Sequence, residues 1–183
     1  MRNNRNIMSP PTTVLSRLPD LHRFFWAISL ICFGMLSACS DKAETEMQAY
    51  HAQMHGITIR NTVLSEEFLA IAGLIQGSNT DSDKVAQAWQ DRIIPLANEL
   101  RSEVSDIQPD LTELREIHSQ IVSCWSDRAD AYTSMLATYR AGDSDGFKKA
   151  MESNNVSKAQ EVSYFASINV LLKRYNLHLS QHP

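Results

Sequence analysis

Four residues in the first half of the chain have side chains that could bind a metal ion: Met47, His51, Met54 and His55. They are spaced at i, i+4, i+7 and i+8, which places them within about 100° of one face of an α-helix. Thioether sulfur and imidazole nitrogen are ligands for copper or silver, and imidazole also binds zinc. The pattern predicts a copper, silver or zinc site. Packing in the core is the alternative for the methionines, because methionine fills irregular gaps.

A second candidate site is polar. Arg128 interrupts an otherwise apolar helical row, and Tyr132 follows it one turn later. Together they could line a pocket for a small ligand in the middle of the domain. The alternative is an arginine that pairs with an acid or extends its charged end to solvent. Asn61 interrupts another apolar row, where a buried asparagine can set the register between helices.

No catalytic arrangement has support in the sequence. His118 and Cys124 are six residues apart, which separates them by about 240° around a helix. The sequence contains no CxxCH haem motif, no glycine-rich phosphate loop and no HExxH zinc motif. We therefore predict that the protein is not an enzyme, and that it has no cofactor other than the metal considered above.

The first predicted helix runs from about Asp41 to Gln76, and it must position the metal candidates. Its apolar residues recur with alternating steps of three and four, the spacing of a helix that packs along one seam. The row consists of Met47, Tyr50, Met54, Ile57, Asn61, Leu64, Phe68, Ile71 and Ile75. The polar segment 77–81 is rich in turn residues and predicts the end of this helix.

Three more helices are predicted. The second covers about Ser82 to Ile107 and contains Pro95, which should kink it. The third opens with a capping box, Asp110 to Glu113, and ends at Gly142. The fourth is capped by the segment Asp143-Ser144-Asp145 and extends to about His178. Its inward residues are predicted to be Phe147, Met151, Val156, Val162, Phe165, Ile168, Leu172 and Tyr175.

These elements predict an all-α fold. The chain contains no convincing strand pattern, and the connections between the long helices are short. Short connections make successive helices antiparallel, so we predict an up-down-up-down four-helix bundle. The alternative is a three-helix or open helical array, in which the second helix is divided at Pro95.

The segment before the bundle has the pattern of an export signal. An apolar run of 13 residues, Phe24 to Leu36, follows Arg17, His22 and Arg23. This is the order of the charged and apolar regions of a signal peptide. The run is too short to span a bilayer, which needs about 20 apolar residues. We therefore predict that the segment is removed, with an uncleaved membrane anchor as one alternative. An ordinary signal peptide, which is removed without lipid attachment, is the other.

The run ends in Leu36-Ser37-Ala38-Cys39, which resembles the lipobox of bacterial lipoproteins. The resemblance is limited to the signal region. It implies that the Cys39 thiol carries diacylglycerol, that the chain is cleaved before Cys39, and that the new amino group is acylated, for example with palmitate. Several acyl chains at one residue give stable membrane anchoring.

The neighbouring residues refine this prediction. Cys32 does not fit the motif, because bulky Ile31 precedes it. Ser40 follows Cys39, whereas aspartate at that place resembles a signal for retention in the inner membrane. We therefore expect the outer membrane, facing the periplasm, with the outer leaflet of the inner membrane as the alternative. Asp41, one residue later, keeps that alternative open.

The predicted organisation is a signal peptide at 1–38, the lipidated cysteine with a short tether at 39–44, and a helical domain at 45–183. Cleavage removes four arginines and Asp20, so 13 basic and 20 acidic residues remain of 17 and 21, with a net charge of −7. This charge argues against nucleic acid as a partner. Cys124 then has no partner for a disulfide within the chain, and an isolated cysteine is usually a small buried apolar residue.

We predict a membrane-anchored envelope lipoprotein that acts as a non-catalytic binding or interaction module. Its partners would be the lipid bilayer, through acylated Cys39, and a protein of the envelope. The alternative is a periplasmic metal-binding protein that uses Met47, His51, Met54 and His55.

Overall fold

The structure is a computed structural model. It describes the backbone of residues 20–76 and 81–180, and the side chains of 42–75 and 81–180. The chain divides into two compact units, Met1–Asp41 and Lys42–Pro183. Residues 1–19, all side chains of the predicted signal peptide, the Cys39 side chain and residues 77–80 of the predicted turn lie outside this description. All of the described side chains belong to the second unit.

Every regular element of the described residues is helical, which confirms the all-α class. The helices are α1 (Asp20–Gln76), α2 (Ser82–Ala88), α3 (Ile94–Asp106), α4 (Thr112–Ala141) and α5 (Ser144–Lys173), with a π-helical turn (Trp89–Ile93) between α2 and α3. Within the part of the chain that the structure describes, none of the helices is apolar over a length sufficient to cross a membrane.

The apolar row predicted on α1 is buried. Eight of its nine residues are buried, and the ninth, Ile75, is partly buried and packs against the core. A helix is stable in water mainly through the packing of such a face, rather than through its intrinsic propensity. The three- and four-residue steps therefore predicted the inward side of α1 correctly.

The predicted irregularity in the second helix takes the form of a π-helical turn. The N–H of Ile94 donates to the carbonyl of Trp89, five residues earlier, instead of to the residue four earlier. Pro95 becomes the second residue of α3, where a helix does not need its missing N–H. The wider turn changes the phase of the helix, so Ala97 is buried, whereas Leu96 is only partly buried.

The capping box predicted for α4 is wrong. Leu111 occupies the N-cap position and makes no side-chain capping bond. The capping acid comes instead from α1: one carboxylate oxygen of Glu46 accepts hydrogen bonds from the N–H groups of Asp110, at 2.6 Å, and Leu111, at 2.9 Å. A residue 64 positions earlier in the chain therefore holds the start of α4, which local sequence could not indicate.

The turn between α4 and α5 agrees with the prediction. Gly142 adopts the left-handed conformation, with a φ of 69°, which glycine tolerates without steric strain. Asp143 is the N-cap of α5, and its side chain accepts a hydrogen bond from the N–H of Gly146 at 2.9 Å. The helix ends at Lys173 rather than near His178.

The predicted inward face of α5 is partly wrong. Val156 and Val162 are 54% and 53% exposed. The buried positions in this stretch are polar: Asn154, Ser157 and Glu161. A row chosen by apolarity alone missed these residues, because α5 turns polar side chains toward the core.

Contacts between side chains give the relative directions of the helices. Between α1 and α4, contacting residues have numbers that increase in the same direction. Glu46 contacts Leu111 at one end, and Phe68 contacts Tyr132 at the other. The order is opposite in two other pairs of elements. These contacts are Arg60–Glu103 and Glu67–Arg92 between α1 and the α3 region, and Glu113–Arg174 and Tyr139–Phe147 between α4 and α5.

Replacing Glu46 with alanine removes the capping acid of α4. We expect the free energy of unfolding to fall by about 1–2 kcal/mol, as is typical for a lost helix cap. The matched control is Glu44→Ala, because Glu44 is exposed and bonds only to Gln48 of its own helix among the described contacts. Urea unfolding in mild detergent, followed by circular dichroism, measures both. Equal losses in the two variants would contradict the capping role.

Candidate functional site

The structure separates the four metal candidates into two pairs. Met47 and Met54 are fully buried in the core. His51 and His55 lie on the outer side of α1, where their rings stack with centroids 6.1 Å apart. The Nε2 of His51 also bonds to the backbone carbonyl of His178 at 2.9 Å. Among the described residues, no three His, Cys, Asp or Glu side chains form a group that could hold a metal.

The second candidate, Arg128, lies in a buried cluster contributed by three helices. Its partner is Glu161 of α5, whose carboxylate accepts hydrogen bonds from Arg128 at 2.7 Å, Asn61 at 2.8 Å and Trp125 at 2.9 Å. Arg128 also donates to the side-chain oxygen of Asn61 at 3.0 Å. We call these four residues the Arg128 cluster. It joins α1, α4 and α5 in the middle of the unit.

Both charges of the Arg128 cluster are shielded from water. The side chains of Arg128 and Glu161 are 3% and 8% exposed. Burial disfavours the charged guanidinium, but the adjacent Glu161 carboxylate more than compensates, so the pKa of Arg128 is raised. Both residues are therefore held as a buried ion pair. Both carboxylate oxygens of Glu161 and both terminal nitrogens of Arg128 are bonded within the protein, whereas the Nε of Arg128 has no partner among the described residues.

Tyr132 is buried beside this pair. Its ring packs against Phe68, with centroids 5.2 Å apart. Burial raises the pKa of Tyr132 to about 12, against the opposing effect of the Arg128 charge. Arg128 therefore pairs with an acid, which was the alternative to a ligand pocket. The side chains of Glu161, Asn61 and Phe68 pack against Arg128 and Tyr132, where the pocket was predicted.

Glu161 was missed by the sequence reasoning. Its position offered one signal: it lies four residues after Ser157 and seven after Asn154, the spacing of one helix face. Polar residues in such a row look like the solvent side of a helix. The other signal was Arg128 itself: a charged residue in the apolar row of α4 needs an acid on a neighbouring helix to pair with.

A second buried group is a chain of hydrogen bonds. Tyr50 lies 2.8 Å from the hydroxyl of Tyr164 and 2.9 Å from Nδ1 of His118, and Nε2 of His118 lies 2.9 Å from the carbonyl of Val104. A carbonyl only accepts, so Nε2 carries the proton and donates it to Val104. Nδ1 then accepts from Tyr50, which in turn accepts from Tyr164. We call this the Tyr–His chain.

The direction of the Tyr–His chain requires a neutral His118. Burial lowers the pKa of His118, although its bond to the Val104 carbonyl opposes this shift. A protonated ring would carry a hydrogen on Nδ1 as well, so Tyr50 could no longer donate to this nitrogen. Burial also raises the pKa values of Tyr50 and Tyr164. All three rings are therefore uncharged at neutral pH.

Cys124 is fully buried, as the sequence suggested. Its thiol donates to the carbonyl of Ser157 at 2.9 Å. Burial raises the pKa of this thiol to about 12. Since the thiolate is the reactive form of cysteine, the thiol is held in an unreactive state.

Comparison with models of protein families places the chain in a family. A family model described as EMYY-motif containing lipoprotein matches residues 22–155, which is more than half of the chain. The chain belongs to this lipoprotein family. The matched range includes the lipobox-like segment, the helices α1 to α4 and the first part of α5. The resemblance of Leu36 to Cys39 to a lipobox is thus confirmed at the level of a bacterial lipoprotein. No curated protein and no solved structure matches the lipoprotein.

Removing one member of the buried ion pair should strongly destabilise this lipoprotein. We expect Arg128→Met to lower the free energy of unfolding by about 3–5 kcal/mol, because it leaves the Glu161 carboxylate buried without its cation. The double variant Arg128→Met/Glu161→Met should lose less than the single variant. Urea unfolding in mild detergent measures the parent protein, Arg128→Met, Glu161→Met and the double variant.

The matched control for this experiment is Arg101→Met. Arg101 forms an ion pair with Asp130 at 2.9 Å, but this pair is partly open to solvent. Its loss should change the free energy of unfolding by less than about 1 kcal/mol. If the double variant loses as much as both single variants together, the two charges are not coupled.

The stability of the lipoprotein should fall as the solution is acidified through the range in which histidine titrates. The folded state keeps His118 neutral, whereas the unfolded chain takes up a proton below the ordinary histidine pKa of about 6.5. Protons are thus bound preferentially by the unfolded state, so the free energy of unfolding should decrease from about pH 7.5 to about pH 5.5. One proton gives a slope of at most about 1.4 kcal/mol per pH unit.

Replacing His118 with glutamine should reduce this slope, because glutamine can donate and accept hydrogen bonds but does not titrate. The control is His55→Gln, since His55 is exposed. Urea unfolding at several pH values measures each protein. An unchanged slope in His118→Gln would refute the assignment.

Proposed function

We propose that this lipoprotein is anchored by lipid on Cys39 and that its helical domain acts at the cell envelope as a non-catalytic binding or interaction module. The observation that carries the proposal is the position of the compact unit. It begins at Lys42, three residues after the lipobox-like cysteine. At about 3.6 Å per residue, three residues allow at most about 11 Å between the lipidated residue and the start of this unit.

The contacts among the described helices support an antiparallel up-down-up-down arrangement for this domain. The beginning of α4 bonds to Glu46, and the segment after α5 bonds to His51. Both lie near Lys42, and therefore near the proposed anchor. We infer that this end of the domain faces the bilayer. The residue after the cysteine is Ser40, which favours the outer membrane facing the periplasm over the inner membrane.

The buried groups support a non-catalytic role. Arg128, Glu161, His118 and Cys124 are all buried and bonded to other groups of the protein, so a substrate could not reach them without opening the core. The outward surfaces of the long helices are what remains available for recognition, and long helical faces commonly bind other helices.

Metal binding by Met47, His51, Met54 and His55 remains the alternative proposal. It requires the thioether sulfurs to leave the core, because both methionines are fully buried. Purified protein should be tested by adding Cu(I) or Zn(II) and measuring bound metal. Stoichiometric metal that is lost in His51→Ala would favour this alternative over the interaction module.

Lipidation is tested by labelling with a radioactive fatty acid and by intact mass spectrometry of protein purified from membranes. We expect a mass that lacks residues 1–38 and carries acyl chains. Cys39→Ala should abolish both labelling and cleavage, because the residue that receives the lipid is absent. The matched control is Cys32→Ala, which should keep both. Labelling that persists in Cys39→Ala, or an unmodified N-terminus in the parent protein, would contradict the anchor.

A further inference from the structure

The outward side of α1 carries a second regular row of residues. They are separated by four, three, four, three, four and three positions, the spacing of a coiled-coil seam. All of them are exposed. We call this row the outer seam: Ala52, Gly56, Ile59, Val63, Glu66, Ala70 and Gly73.

Nothing in the described part of the chain requires the two glycines of the outer seam. Gly56 and Gly73 lie inside α1 without a left-handed conformation, and a Cβ atom added to either would meet no heavy atom of a neighbouring described element within 4 Å. Glycine is unfavourable inside a helix compared with alanine. An exposed glycine does, however, let another backbone approach closely. Their position in the seam therefore points to a neighbour outside the chain.

The centre of the outer seam is apolar. Ile59 and Val63 are 47% and 44% exposed, and Leu69 beside the seam is 63% exposed. The opposite side of the same helix is already buried in the core. A group of exposed apolar residues on a helix whose other side is already buried is a feature of interaction sites, and the steps of three and four residues fit another helix as the cover.

We propose that the outer seam of one copy packs against the outer seam of a second copy, in parallel and in register. This inference rests on the proposed function, because it uses the anchor at Cys39. Anchored copies all carry the Lys42 end of their helical domain toward the bilayer, so neighbours present their seams in the same direction and at the same height. In this symmetric contact each residue meets its equivalent, so glycine faces glycine and Ile59 faces Ile59.

The size of the seam indicates a weak contact that anchoring strengthens. It extends over about 32 Å of one helix, with small residues toward both ends. Such a contact lies at the low end of stable interfaces. Confinement of both copies to one membrane raises their effective concentration, which favours pairing without any additional contact. Glu66 would face Glu66 of the second copy, and this repulsion weakens the pair.

Cross-linking in membranes tests the proposal with the full-length protein. Val63→Cys should give a cross-linked dimer with a short bifunctional thiol reagent. The matched control is Val170→Cys, since Val170 is another exposed valine, on α5, at 66% exposure. The only other cysteines of the mature chain are Cys39, which the anchor would occupy, and Cys124, which is fully buried. We expect about tenfold more dimer from Val63→Cys than from Val170→Cys.

Further variants test the direction and the contacts. Ile59→Cys should also form dimers in the parallel arrangement, whereas an antiparallel pair centred near Val63 would place Ile59 opposite Glu66. In the Val63→Cys background, Ile59→Lys should reduce the dimer about tenfold, because it places a charge in the seam. Glu66→Gln should increase it. All these positions are exposed, so circular dichroism should remain unchanged.

The outcomes separate this inference from the anchor. Fatty-acid labelling is measured in the same membranes. Labelled protein in which Val63→Cys and Val170→Cys cross-link equally would overturn the outer seam and leave the anchor intact. Dimers from Val63→Cys without dimers from Ile59→Cys would overturn the parallel register. Unlabelled protein would contradict the anchor and, with it, the basis for parallel alignment.

Discussion

The buried ion pair between Arg128 and Glu161 is the interaction on which the arrangement of the helices depends. Each charge would be very unfavourable in the core without the other, so α4 and α5 must bring them within hydrogen-bonding distance. Asn61 bonds to both and Trp125 to Glu161, which adds α1 to the same constraint. Apolar packing tolerates small sliding between helices, whereas these bonds are satisfied in one register only.

The Tyr–His chain applies a similar constraint nearer the end of the domain that holds Lys42. Tyr50, His118 and Tyr164 come from α1, α4 and α5, the same three helices that form the Arg128 cluster. The bond from His118 to the Val104 carbonyl adds α3. Two polar groups at different heights thus connect α1, α4 and α5, and together they fix the register and the rotation of these three helices.

Local sequence was sufficient for the features that depend on neighbouring residues. The apolar row of α1, the left-handed Gly142 and the Asp143 cap all result from short-range rules of helix geometry. The features that it missed depend on distant residues. The acid that caps α4 comes from Glu46, the partner of Arg128 comes from α5, and the π-helical turn before Pro95 changes which residues of α3 reach the core. No local pattern indicates which distant polar side chain will complete a buried bond, and this is why the polar core was only partly foreseen.

The bonds between helices also determine how the chain can fold. Glu46, Tyr50 and Asn61 find their partners 64 to 114 positions later. Such distant contacts raise the contact order above that of a bundle held by neighbouring helices, which slows folding. Neither Tyr50 nor Asn61 can complete its bonds before α5 has been synthesised. A nascent chain that stops short of Glu161 would bury Arg128 without its acid, so truncated products should remain unfolded and be open to proteolysis.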